Sequence, residues 1–167
     1  IVISNPPELK HAPVYRYNRF FRPMFERACK EDNMRTMAVM REPVSWLGSW
    51  YRFRQRDSMI GHRNATHDIS FDEFVSAYAE GDKPAFANVG SQAKFLEARQ
   101  NGTKVEHLFR YENQPQILAF LEDTLKTDIV LSRQNVSPKM DLNLSPRIES
   151  RLRLSCAEEF ELYDSIS

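Results

Sequence analysis

The sequence predicts an α/β domain with a mostly parallel sheet, and three observations predict it. Met37–Met40 and Val105–Arg110 are short runs of the length and apolar character that strands packed beneath helices require. Polar residues end each run at once, Arg41 and Glu42 after the first, Tyr111, Glu112 and Asn113 after the second. Much of the remaining chain carries apolar residues at three- and four-residue steps, the spacing that turns one face of a helix toward a core.

Composition narrows the function classes. At 167 residues, 41% of them hydrophobic, the chain has the length of one domain and can bury a core. Its 23 basic and 23 acidic residues cancel, so no broad positive field draws it onto nucleic acid, and local anion binding suits its arginines better. Cys29 and Cys156 both fall in helical stretches. That placement favours reduced thiols over a disulfide framework or zinc site, and a cytoplasmic compartment ahead of the Golgi lumen. No apolar run approaches the roughly 20 residues of a membrane span, and no signal-peptide pattern opens the chain. Asn-x-Ser/Thr triplets at Asn64, Asn101, Asn135 and Asn143 matter only in a secreted or Golgi setting.

Taken in order, Ile1–Ser4 reads as a strand broken by Asn5, Pro6 and Pro7, and Lys10 and His11 follow in a loop closed by Pro13. Tyr15–Lys30 reads as a helix with Tyr17, Phe20, Phe21, Met24, Phe25 and Ala28 on one side and five basic residues on the rest. Such a basic, aromatic helix suits either a core helix with a solvated face or an anionic glycan. After the strand Met37–Met40, Pro43 fits a first helical turn, and Val44, Leu47, Trp50, Tyr51 and Phe53 continue as an amphipathic helix. Residues 56–68 read as a polar loop suited to selecting an acceptor, and its paired His62 and His67 are a weak metal signal. Ser70 and Glu73 form a capping box ahead of Phe71, Phe74, Val75 and Tyr78. Ser91–Arg99 and Ile117–Leu125 are further helices. Ser145 caps a last helix, with Pro146 in its first turn and Ile148, Leu152, Cys156, Phe160 and Tyr163 on its inner face.

Ligands of open α/β sheets sit beyond the carboxyl ends of the strands, which places Arg41 at a functional rim. Ser49 lies eight residues further, about two helical turns in, where a hydroxyl can stand beside a group held by Arg41. A guanidinium fork and a hydroxyl suit a phosphate. The same pair is equally compatible with an arginine tying down a strand end and a serine tolerated within a helix.

The stretch Arg41–Ser49, REPVSWLGS, followed by an aromatic helix, resembles the 3′-phosphate motif of the sulfotransferase family. The resemblance implies a P-loop nucleotide-kinase-like fold and the cofactor 3′-phosphoadenosine 5′-phosphosulfate, with Arg41 and Ser49 on its 3′-phosphate. Lys10 and His11 resemble the segment that carries a catalytic lysine and histidine in this family, although there another residue separates the two. By that likeness His11 takes a proton from the acceptor hydroxyl and Lys10 stabilises charge on the bridging oxygen. Tyr111, in FRYEN, is carried over as a contact to the adenine, and Arg133 or Lys139 could reach anionic groups of the nucleotide. Looser likenesses extend through FDEF, GSQAKFL and EEFELYDSI. The family's Lys- and Gly-rich 5′-phosphosulfate loop is absent from the sequence, so an N-terminal segment is expected ahead of Ile1. The expected activity is sulfuryl transfer to a hydroxyl or amine of a small-molecule or carbohydrate acceptor, with no metal. A non-catalytic nucleotide-binding or protein-interaction module of the same fold is the alternative, and a kinase of that fold lacks a visible magnesium-holding acidic motif. Oligomeric state is left open.

Overall fold

The computed structural model describes residues 11–29, 34–130 and 140–167, which form an α/β arrangement with a two-stranded parallel sheet. Lys10, the expected strand Ile1–Ser4, Arg133 and Lys139 lie outside the described residues. In chain order the elements are α1 (Val14–Arg16), a π-helical stretch (Tyr17–Phe21), α2 (Arg22–Cys29), β1 (Met37–Met40) and α3 (Pro43–Arg54). A 3-10 turn (Asp57–Met59), α4 (Phe71–Tyr78), α5 (Gln92–Leu96) and β2 (His107–Arg110) follow, then α6 (Gln114–Leu125), α7 (Pro146–Ser155) and α8 (Ala157–Asp164). The chain divides into two compact units, one running up to Met40 and resuming over Gly90–Phe109, the other made of Arg41–Val89 and Arg110–Ser167. Among the described residues no helix is long and apolar enough to cross a membrane.

In the first unit the helix expected over Tyr15–Lys30 is interrupted. Pro23 lacks the N–H that would bond the carbonyl of Arg19, and its ring crowds that carbonyl. The ladder widens just ahead of it, the N–H of Arg22 reaching five residues back to the carbonyl of Tyr17. The strands pair where Thr36 accepts the N–H groups of Glu106 and His107 at 3.1 and 3.0 Å. Thr36 Oγ1 also donates to the carbonyl of Lys104 at 2.8 Å. Met40 is fully buried, but Val39 is 41% exposed, so β1 is not the doubly covered strand its apolar run suggests. Side chains alternate along a strand, and among the described residues the face that carries Met37 and Val39 is only partly covered.

The second unit holds a cluster of Leu47, Tyr51, Phe71, Phe74, Val75, Tyr78, Ala87, Leu152 and Phe160. Leu47 and Tyr51 are one turn apart on α3, and Phe71, Phe74, Val75 and Tyr78 form one face of α4, so two stripes meet. The Tyr51 ring packs edge-on to Phe71 and Phe74 at 5.4 and 5.6 Å. The capping box at Ser70 and Glu73 forms with both reciprocal bonds. Thr66, fully buried, ties the 56–68 loop to α3 by donating to the carbonyl of Tyr51 at 3.1 Å.

Two further elements, α5 and the last helix, depart from the sequence reading. α5 stops at Leu96, and the chain turns back so that the N–H of Arg99 meets the carbonyl of Thr103. The last helix is two helices, broken at Cys156. Ser145 occupies the N-cap position of α7 without a capping bond from its side chain, and its N–H donates instead to Asp72 Oδ1 at 2.8 Å.

Candidate functional site

Arg41 follows β1 directly and Tyr111 follows β2 directly, so two strand ends deliver the charged and aromatic groups that the sequence singles out. Arg41 Nε donates to Ser45 Oγ at 2.9 Å, and its guanidinium lies over the Tyr111 ring, 4.8 Å from the centre. Tyr111 is 47% exposed, so the ring braces the guanidinium without being enclosed. Arg41 and Tyr111 are thus brought together, as the sequence leads one to expect of two groups at a shared rim.

The hydroxyl bonded to Arg41 belongs to Ser45, whereas the sequence reading paired Arg41 with Ser49. Ser45 is four residues beyond Arg41 and Ser49 four further, so both hydroxyls lie along one side of α3. The four-residue spacing was the available signal for Ser45.

The end of α3 itself is closed. Glu42 is its N-cap and accepts the N–H of Ser45 at 2.7 Å, while the N–H of Glu42 donates to Glu112 Oε1 at 3.1 Å. Two carboxylates therefore occupy the helix dipole's positive end, leaving the flank of the helix for an incoming anion. Glu112 also accepts the hydroxyl of Tyr163 on Oε2 at 2.9 Å, and Arg110 stacks on the Tyr163 ring at 4.8 Å. Burial first, and then the Glu112 bond, raise the Tyr163 hydroxyl above its ordinary pKa. Glu112 thereby fastens α8 to the turn that carries Arg41. The two partners of Glu112 have no local sequence signal, because Glu42 is 70 residues away and Tyr163 is 51.

Arg52 joins the same flank. Its two terminal nitrogens lie 3.6 and 3.8 Å from where a Cβ on Gly48 would stand, so the side chain leans back along the helix over the glycine. Burial first, and then the charge of Arg41, lower its pKa below the ordinary guanidinium value. A Cβ on Gly48 would also stand 2.7 Å from Leu142 Cδ1, so the glycine admits the segment that crosses α3. Two guanidiniums and two hydroxyls along one helix flank are a donor set that fits a phosphate.

His11 belongs to the first unit and is exposed; the site described here is formed within the second unit alone. His62 and His67 line an open pocket with Asp68, and among the described residues no group of three or more His, Cys, Asp or Glu side chains gathers.

Comparison of the chain with protein-family models, curated proteins and solved structures finds no match.

Proposed function

We propose that the chain is a sulfotransferase of the P-loop nucleotide-kinase-like fold, moving a sulfuryl group from 3′-phosphoadenosine 5′-phosphosulfate to a hydroxyl or amine of a small-molecule or carbohydrate acceptor. One observation carries this reading: Arg41, bonded to a serine hydroxyl on α3 and braced by Tyr111, at the site where REPVSWLGS resembles a 3′-phosphate motif. Arg41 holds the phosphate by its fork of donors, Ser45 and Ser49 offer hydroxyls to the remaining oxygens, and Tyr111, nearly half exposed, is available to the base. When bound, the cofactor supplies the activated sulfuryl group. In-line transfer to an acceptor needs positioning and charge stabilisation more than covalent assistance. In this reading His11 accepts the acceptor's proton on a ring nitrogen, and Lys10 stabilises the bridging oxygen.

The test is calorimetric titration with adenosine 3′,5′-bisphosphate, with 5′-AMP as control. The expected outcome is preference for the bisphosphate, reduced about 10- to 100-fold in Arg41→Ala, the loss of one charge-assisted contact worth about 1.5–3 kcal/mol. Equal binding of the two nucleotides by the wild-type chain would overturn the reading.

A further inference from the structure

We infer that Arg52 is a second ligand of the same phosphate, so that two guanidiniums on the flank of α3, rather than one, hold it. The inference rests on the reading of Arg41 as a 3′-phosphate ligand.

Ser45, Gly48 and Arg52 are separated by three and four residues, so they share one face of α3, and side chains on a helix lean toward its N-terminus. Arg52 leans that way, its guanidinium within van der Waals distance of the Cβ position on Gly48, between itself and the hydroxyl that Arg41 holds. Arg52 is half-buried, and among the described residues its side chain has neither a hydrogen bond nor an ion pair. The neighbouring Arg54, also buried, is by contrast satisfied by three backbone carbonyls. A half-buried guanidinium with a second guanidinium as its charged neighbour is a cost to the protein, because like charges repel and, among the described residues, no acid pairs with Arg52. An anion with two charges offsets that repulsion more than a monoanion does. At the end of α3 the carboxylates of Glu42 and Glu112 already hold the N–H groups of Ser45 and Glu42, and their charge opposes an anion there. Ser49, one turn above Ser45 and three residues before Arg52, is positioned along the same lane.

The experiment compares the wild-type chain, Arg52→Gln, Arg52→Lys and Arg41→Ala in titrations with adenosine 3′,5′-bisphosphate and with 5′-AMP, each variant first shown to be folded by circular dichroism. Arg52→Gln is expected to weaken the bisphosphate about tenfold or more. It is expected to leave 5′-AMP unchanged, and Arg52→Lys to recover part of the loss because the charge is kept. Bisphosphate affinity unaltered by Arg52→Gln but lost in Arg41→Ala would overturn the role of Arg52 and leave the 3′-phosphate reading intact. An equal loss for both nucleotides would place Arg52 elsewhere on the ligand and overturn it as well. Failure of the wild-type chain to prefer the bisphosphate would overturn both. Should Arg52→Gln fail to fold, Arg52→Lys decides: unchanged preference on lysine, which lacks the planar fork, overturns the two-guanidinium clamp.

Discussion

Arg41, Arg52 and Arg54 lie within fourteen residues of one another, and the structure gives each a different occupation. Arg41 bonds a serine and lies on a tyrosine, Arg52 has no acidic partner among the described residues, and Arg54, only 5% exposed, donates to the carbonyls of Ala85 and Asn88 at 3.1 and 3.2 Å and to that of Phe86. No local pattern separates them. A buried arginine satisfied by carbonyls is fixed by where residues 85–88 come to lie, and that depends on tertiary packing. The consequence for stability is specific. Arg54→Met leaves the carbonyls of half-buried Ala85 and Phe86 and of exposed Asn88 without that donor, and each such loss costs about 1–3 kcal/mol before water re-enters. The expected destabilisation is about 2–4 kcal/mol, read as a lower urea midpoint at unchanged slope. Arg54→Lys is expected to lose less, since an ammonium can reach one of the carbonyls but not all three. Equal midpoints for wild type and Arg54→Met would show those carbonyls to be satisfied without the arginine.

Elements were legible in the sequence where one local rule governed them. Met37–Met40 is the strand its apolar run indicates, and Pro43 opens α3 as a first-turn proline should. Ser70 with Glu73 makes the expected box. They were misread where two rules competed. The series Ile148, Leu152, Cys156, Phe160 advances by four residues, and each step overshoots the 3.6-residue turn by about 40°. A straight helix would carry its last members off the core, and the break at Cys156 resets the phase so that Leu152 and Phe160 are both buried. α6 ends on Lys126, the one non-glycine among the described residues with positive φ, at 53°. A left-handed residue with a Cβ costs about 1–2 kcal/mol, which glycine avoids in the position where helices most often place it. Lys126→Gly forfeits an exposed ion pair to Asp123, of little worth at 78% and 81% side-chain exposure. The expected net effect is a gain of about 0.5–1 kcal/mol, visible as a raised melting temperature. A lower melting temperature would mean that the lysine holds more than its partner Asp123.

At the scale of the molecule, the α/β character is legible from two short strands and the helices after them, and the position of Arg41 and Tyr111 follows from where those strands end. The division of the core is not legible, because apolar residues are spread along the whole chain and only the fold decides which are covered. In the second unit nine buried side chains form one cluster, with Trp46, Trp50, Phe86, Leu142 and Leu144 packed against it. Among the described residues of the first unit the buried side chains are Pro13, Val14, Met40, Thr103 and Phe109, while Phe20 and Met24 are 59% and 54% exposed. Each fully buried large apolar side chain contributes about 1.5–3 kcal/mol, so resistance to opening should follow that distribution. Local opening draws first on regions with few buried apolar contacts. Hydrogen exchange followed by mass spectrometry should therefore find the amides of α3 and α4 the slowest, exchanging near the global unfolding limit. Those of α2 should exchange earlier, through an opening that leaves α4 protected. Equal protection of α2 and α4 would show that the chain opens as a single cooperative unit, and that the covered aromatic cluster does not set its local stability.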